Sequence, residues 1–193
     1  TDRSRGLGDV YKRQGLFEEC KGLKTVIFVN GVGEMDNYLF NYCKNLKTVW
    51  WKGKVNRIGV QCFGATGLEQ FCVNAKNIDS CAFIGCEDLK EIHIRSGVEN
   101  LNMTAFAMLT GIETICLEGI DPDVMEADWV NLQNSTVTIL VPEDTTDEQL
   151  QLVTQKFASA YIIINKSQVQ KGSCQLSENP MPDIDGIVGE YGI

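Results

Sequence analysis

Apolar residues recur along this chain at a nearly fixed interval. The interval is set by five phenylalanines at spacings of 23, 23, 20 and 23 residues: Phe17, Phe40, Phe63, Phe83 and Phe106. A leucine or isoleucine follows each of them, and further apolar residues stand three and five positions beyond it. One more apolar residue precedes the next phenylalanine by five positions. Self-similarity at a fixed period is the signature of a repeat architecture.

Each repeat predicts one short strand followed by a turn. The apolar positions after the leucine read L-x-x-V-x-F, and their last residues alternate as in a half-buried strand. One unit cannot bury its apolar side alone, whereas stacked units form a parallel sheet with like residues in ladders. We therefore predict parallel strands and one buried phenylalanine ladder. The predicted strands are residues 24–29, 47–52, 69–74, 90–95 and 113–118.

The third repeat is shorter than the others. It lacks one residue between Phe63 and Leu68 and two between Leu68 and Ile78, relative to the 23-residue units. These deletions fall between the apolar positions, which places them in loops. The segments around the phenylalanines, such as "AFIGC" and "AFAM", are too short for a stable free helix. They predict turns, or at most one helical turn.

The repeat resembles the BspA-like class of leucine-rich repeats, whose units read roughly aF-x-x-C-x-x-L-x-x-I-x-I-P-x-x-V-x-x-I-g. The segment "AFIGCEDLKEIHIRSGVENL", residues 82–101, matches this pattern closely, and the resemblance covers residues 15–120. The proline after the strand is missing, and Asn30, Gly53 and Gly97 lie in the turns instead, which is compatible with a tight bend. The resemblance implies an α/β leucine-rich-repeat solenoid, in a bacterial cell-surface or secreted protein that contacts host proteins or other cells.

The two ends of the chain do not follow the repeat. Residues 1–14 are predicted to be a non-native or disordered leader, and the array then begins abruptly, as if earlier units were missing. Residues 121–165 are predicted to form a C-terminal cap of strand, helix and strand, as the family resemblance also implies. Thr146 would cap the helix, and Leu150, Val153 and Phe157 would form its apolar face. The polar residues 166–193 are predicted to be a linker or the start of another module.

Charge and hydropathy exclude two classes of partner. The chain has no apolar run of about 18 residues, so no membrane span is predicted. The net charge is −9, and it is uneven: residues 1–117 carry 14 Lys/Arg and 13 Asp/Glu, but residues 118–193 carry 3 and 13. An acidic C-terminal third argues against nucleic acid, which needs a basic face.

Five of the eight cysteines occupy fixed positions in the repeat. Cys20, Cys43 and Cys86 share one position with Thr66 and Leu109, which predicts a small buried side chain. Cys62 and Cys81 precede phenylalanines and are also predicted to pack in the core. Neighbouring rungs lie roughly 5 Å apart, so a disulfide between the first two is geometrically allowed but not needed.

One outward-facing column of the predicted sheet contains Cys72, His93 and Cys116. The two thiols would lie about 10 Å apart, two rungs of a sheet, which is too far for one zinc ion. A Cys-His nucleophile pair would lack an orienting third group and a recognisable oxyanion hole. We therefore predict no metal, no cofactor and no enzymatic activity.

The exposed face of the repeat sheet remains as the candidate site. Alternation places Thr48, Trp50 and Lys52 outward and Val49 and Trp51 inward. The predicted binding residues are Thr25, Ile27, Thr48, Trp50, Gln70, Glu91, His93 and Arg95. An exposed tryptophan among polar neighbours is typical of protein or glycan recognition, although such ladders also simply favour strand pairing. The predicted function is a non-enzymatic binding module. The alternatives are a structural spacer and, third, an enzyme whose site the sequence does not reveal.

Overall fold

The computed structural model describes residues 14–102, 104–118, 136–156 and 161–166. Within these ranges the chain winds into a solenoid whose coils each have three sides. A corner around a phenylalanine leads into a strand of a front sheet, and a turn then leads into a short strand of a back sheet. The core of apolar side chains lies between the three sides. The predicted α/β repeat solenoid is therefore confirmed.

The front sheet contains the five strands that the sequence predicted, each within one residue of the predicted bounds. They are β1 (Thr25–Phe28), β3 (Thr48–Trp51), β5 (Gln70–Val73), β7 (Glu91–Ile94) and β9 (Thr114–Leu117). Two further strands, β10 (Thr136–Val141) and β11 (Tyr161–Lys166), extend this sheet beyond β9. Every pairing between these strands is parallel.

The back sheet was not predicted. It consists of β2 (Glu34–Met35), β4 (Val55–Ile58), β6 (Ala75–Ile78) and β8 (Asn100–Leu101), which pair in parallel in that order. Sequence analysis identified only the apolar residue that ends each strand. Two of the strands are only two residues long, and the other two, VNRI and AKNI, have apolar residues only at their ends, so alternation does not reveal them.

The corners carry the phenylalanine ladder. Successive rings stack with centroids 5.6, 5.5, 5.3 and 5.2 Å apart. Four of the five side chains are buried, which confirms the predicted ladder, whereas Phe17 at the start of the described array is 36% exposed. Edge and tilted contacts with Phe71 join this ladder to the front sheet at Phe63 and Phe83.

The corners also form a third hydrogen-bonded side. In the second coil the N–H groups of Tyr38, Phe40 and Tyr42 donate to carbonyls of the next coil at 2.8–2.9 Å. The residues two positions before and two after a phenylalanine have positive φ in most coils, for example 59° at both tyrosines. This left-handed conformation alternates with ordinary turn residues and aims every second N–H along the solenoid axis. The predicted turns are thus confirmed.

The front sheet is interrupted between β3 and β5. Among the described strands, β1 and β3 form a two-stranded piece, and β5 begins the five-stranded piece. The interruption lies at the shortened third repeat, where the corner is one residue short. Lys47 spans it through ion pairs with Glu69 (2.9 Å) and Asp88 (3.3 Å). The back sheet and the corner ladder continue across this seam without interruption.

A capped helix follows β10. Helix α1 (Asp147–Lys156) begins with a reciprocal cap: Gln149 N–H donates to Thr146 Oγ1 at 3.2 Å, and Thr146 N–H donates to Gln149 Oε1 at 3.0 Å. Val153 is buried in the core and Leu150 packs against it, while Phe157 lies outside the described residues. The proposed domain boundaries at residues 14, 120 and 165 remain predictions. In the described part of the chain, no helix is both long enough and apolar enough to cross a membrane.

Candidate functional site

The predicted site residues share the outward side of the front sheet. Thr25 lies beside Thr48 and Ile27 beside Trp50 on the first piece. On the second piece Gln70 lies beside Glu91, and the other two predicted residues, His93 and Arg95, lie on and just after β7. The seam therefore divides the site into two groups, one on each side. Sequence reasoning could not foresee this division, because the pattern of apolar residues continues across the seam.

The two adjacent tryptophans point to opposite sides of β3. Trp51 packs against the core, with its ring 5.7 Å from that of Phe71. Its indole Nε1 is buried and has no hydrogen-bond partner among the described residues. Trp50 is half-buried and does not belong to the core cluster. The predicted inward and outward directions are thus confirmed, although Trp50 is less exposed than the pattern implied.

Three site residues on the second piece already have polar partners within the protein. His93 Nε2 lies 2.5 Å from Glu91 Oε1, and Arg95 Nε lies 3.6 Å from Glu118 Oε2. The side chains of His93 and Arg95 are only 17% and 19% exposed. A ligand that used these groups would have to separate existing pairs, which costs part of the binding energy gained.

Two of the cysteines that stand three residues after a phenylalanine act as hydrogen-bond donors. Cys43 Sγ donates to the carbonyl of Phe17 at 2.9 Å, and Cys86 Sγ donates to the carbonyl of Phe63 at 3.0 Å. Thr66 Oγ1 donates to the same Phe63 carbonyl at 3.0 Å. Cysteine and threonine at this position both donate to a phenylalanine carbonyl, which explains why threonine can replace cysteine there. The prediction of a buried side chain was correct for Cys43 and Cys86 but missed this hydrogen bond, and Cys20 is only partly buried. Of the two cysteines that precede phenylalanines, Cys62 lies in the core as predicted, whereas Cys81 is half-buried and lies outside the core cluster.

Burial keeps these thiols protonated. Removal from water raises the pKa of Cys43, raises the pKa of Cys62 well above its usual range, and raises the pKa of Cys86 to about 11. All seven cysteines within the described residues are free thiols. Since the thiolate is the nucleophile and the metal ligand, the buried members of this set are unsuited to either role.

The column Cys72, His93 and Cys116 forms as predicted, with each residue in register with the next. His93 separates the two cysteines, and Cys116 is only 3% exposed. No cluster of three or more His, Cys, Asp or Glu side chains suited to a metal ion occurs in the described part of the chain. Because Cys116 on β9 is buried, whereas the residues of β1 and β3 are exposed or half-buried, the outward side of the sheet is more accessible on β1 and β3 than on β9.

Sequence analysis missed a polar network on the back sheet. Arg57 donates to Asp79 Oδ2 through Nε at 2.8 Å and to Asn37 Oδ1 through Nη2 at 2.8 Å, which links three coils. Beside it lies a shallow groove of about 290 Å³. The groove is lined by Val60, Ile78, Asp79, Ser80, Asn100, Leu101 and Asn102. The signal in the sequence was weak, because these polar residues sit between the apolar positions that define the repeat.

One family model matches the chain and agrees with the architecture. The family model for the BspA type leucine rich repeat region matches residues 12–113 in six copies. No curated protein matches the chain. Among solved structures, a leucine-rich repeat protein from Bacteroides ovatus is similar, at 17% identity and a TM-score of 0.49. The alignment covers 77% of this chain and 38% of that protein, so the chain spans less than half of its length. Since the family match covers more than half of the sequence, the chain belongs to the BspA-type leucine-rich repeat family.

Proposed function

We propose that this chain is the non-enzymatic binding module of a bacterial cell-surface or secreted protein and acts in adhesion. The front face of the solenoid contacts a protein or glycan partner. Membership of a leucine-rich repeat family is consistent with a repeat-based interaction or scaffold module, and such repeats are typically non-catalytic. The localisation rests on the same family membership.

The observation that carries the proposal is the position of Trp50. Its neighbour Trp51 fills the core, so the fold does not need a second tryptophan at this position. Trp50 stands on a rigid strand and presents a large flat surface beside Thr48 and Ile27. Partly exposed tryptophans on rigid elements are the residues in which binding energy concentrates.

A structural spacer is the second candidate. It is favoured by the contact of Glu91 with His93 and by the ion pair of Arg95 with Glu118, since a surface whose polar groups are satisfied internally offers little to a ligand. An enzyme is the least favoured function, because leucine-rich repeats are typically non-catalytic and burial holds the thiols of Cys62 and Cys86 protonated.

Paired substitutions at the two tryptophans test the proposal. Once a partner is identified, Trp50→Ala should weaken its binding by about 2 kcal/mol and leave the unfolding midpoint nearly unchanged. Trp51→Ala should instead lower the free energy of unfolding by about 3 kcal/mol, because it removes packing against Phe71. Titration calorimetry and thermal unfolding measure the two effects.

If Trp50→Ala binds the partner as tightly as the parent chain does, the front face is not the binding site. The spacer function would then be preferred, unless variants of the back-sheet groove, such as Asn100→Ala, reduce binding instead.

A further inference from the structure

Charge is distributed asymmetrically along the solenoid. Residues 14–59, which form the first two coils, contain 7 Lys/Arg and 4 Asp/Glu. Residues 60–118, which form the following coils, contain 3 Lys/Arg and 8 Asp/Glu. The solenoid is therefore basic at the end that carries Trp50 and acidic beyond the seam. Such a separation of charge orients and selects a charged partner.

The basic end contains a compact outward surface on β1 and β3. It combines apolar side chains with polar ones at its margins, and Val29 is 49% exposed. We call this surface the β1–β3 patch. It consists of Thr25, Ile27, Val29, Thr48, Trp50 and Lys52.

Two exposed lysines lie at opposite ends of the patch. Lys24 directly precedes β1 and Lys52 directly follows β3. Neither forms an ion pair with any residue that the structure describes, whereas Lys47, Arg57 and Lys76 all do. The ammonium groups of Lys24 and Lys52 are thus available to a ligand without breaking an existing interaction.

The rest of the front face is less suited to binding. Across the seam, Glu91 and His93 contact each other, Arg95 forms an ion pair with Glu118, and Cys116 is buried. An acidic partner would also be repelled by the excess of carboxylates in the later coils. Both effects confine recognition to the near side of the seam.

We propose that the β1–β3 patch binds an acidic segment of a protein partner that also carries an apolar side chain. The apolar side chain packs on Trp50 and Ile27, and its neighbouring carboxylates pair with Lys24 and Lys52. This inference rests on the proposed function and narrows it, since it names one part of the front face and one class of ligand.

Peptide display on the full 193-residue chain tests the inference. A library of random 12-residue peptides is selected on the parent chain and then on Trp50→Ala, and peptides that lose binding to the variant are kept. We expect these peptides to be enriched in Asp or Glu next to Leu, Phe or Trp. Thermal unfolding of Trp50→Ala shows that the variant is folded.

Matched charge variants provide the second measurement. The enriched peptide should bind Lys52→Glu about tenfold more weakly than the parent chain, and raising the salt concentration should reduce that difference. Lys76→Glu, on the back sheet, should bind as the parent does. Polyglutamate, which offers charge alone, should compete poorly.

The outcomes separate the two proposals. If Trp50-dependent peptides emerge but are neutral or basic, or bind Lys52→Glu unchanged, the inference is wrong and the front-face function stands. If polyglutamate competes as well as the peptide, the apolar contact is wrong. If no peptide depends on Trp50, both the inference and the front-face function fall.

Discussion

At the scale of single residues, the corners depend on a backbone conformation that most side chains disfavour. Within the described ranges, seven non-glycine residues have positive φ, among them Tyr42 at 59° and Met108 at 59°. Gly85 occupies the equivalent position in its coil, with φ of 66°. An L-residue in this region costs roughly 1–2 kcal/mol, and the corners retain it because it directs N–H groups to the next coil.

A pair of glycine substitutions measures this cost. Gly85→Ala should lower the free energy of unfolding by about 1 kcal/mol. A methyl group there meets no atom within 4 Å, so the loss comes from φ alone. Gly22→Ala is the control, since that position is equally open but lacks positive φ, and it should be neutral or slightly stabilising. Equal effects of the two substitutions in urea unfolding would show that the corner is not strained.

The buried thiols predict a loss of stability at alkaline pH. The pKa of Cys86 is about 11 in the folded chain, against 9.0 for an ordinary thiol. Below pH 9 both states are protonated; between pH 9 and 11 the unfolded thiol ionises first, so stability falls as pH rises. By pH 10.5 this group alone should have cost about 2 kcal/mol.

Cys86→Ser isolates this effect from the titration of lysines and tyrosines. A hydroxyl keeps the donor, as Thr66 shows at the same repeat position, but it does not titrate. Urea unfolding at pH 8.5 and 10.5 should therefore show a smaller decline for Cys86→Ser than for the parent chain. Parallel declines would mean that the thiol is already exposed or ionised in the folded state.

At the residue scale, the sequence predicted the burial of the cysteine position but not the backbone conformation of the corners, and the reason is physical. The cysteine position was recognised as small and buried because its alternatives, Thr66 and Leu109, share that property. The positive φ of the corners could not be recognised, because residues as different as Tyr42, Gln61 and Cys81 adopt it. The hydrogen bonds to the next coil impose the positive φ, and the type of side chain does not determine it.

At the scale of secondary-structure elements, the front strands were predictable and their pairing was not. Apolar alternation located β5 to within one residue. The alternation did not show, however, that β5 pairs with β7 on one side and not with β3 on the other. The seam arises from the length of the third corner, and a one-residue deletion in a loop does not disturb the apolar pattern. For the same reason, the sequence predicted that the candidate site residues share one side of the front sheet, but it did not predict the seam that separates Trp50 from Gln70.

Hydrogen exchange should reveal the seam. By alternation, the N–H groups of Val49 and Trp51 point towards β5, where no ladder is formed. The equivalent N–H of Ile92 points towards β9, with which β7 pairs. We expect the amides of Val49 and Trp51 to exchange at least about tenfold faster than that of Ile92. Equal protection, measured by NMR, would contradict the interruption of the sheet.

At the scale of the whole molecule, stability is shared between neighbouring coils. Phe63 is fully buried and stacks between Phe40 and Phe83. Phe17, at the start of the described ladder, stacks on Phe40 alone and remains 36% exposed. In a repeat array each unit is stabilised by its neighbours. A phenylalanine at the centre of the ladder should therefore contribute more to the free energy of unfolding than one at its end.

Alanine substitutions along the ladder should show this gradient. Phe63→Ala should lower the free energy of unfolding by about 3–5 kcal/mol because it leaves a cavity that the neighbouring rings cannot fill. Phe17→Ala should cost about 1 kcal/mol, since less apolar surface is withdrawn from water there. Chemical unfolding followed by circular dichroism measures both. Similar losses would mean that the first coil is buried to the same extent as the third.

The seam also has a mechanical consequence. Hydrogen bonds between coils run along the solenoid axis, so tension between the two ends of the array loads all three ladders together. At the seam the front ladder is missing between the described strands, so the backbone hydrogen bonds that resist this tension come from the corner and from the back sheet, through Val55 to Ile58. A stretched chain should therefore rupture first between the second and third coils. The β1–β3 patch lies on the first two coils. A partner bound there would therefore stay attached while the chain between the separated coils extends.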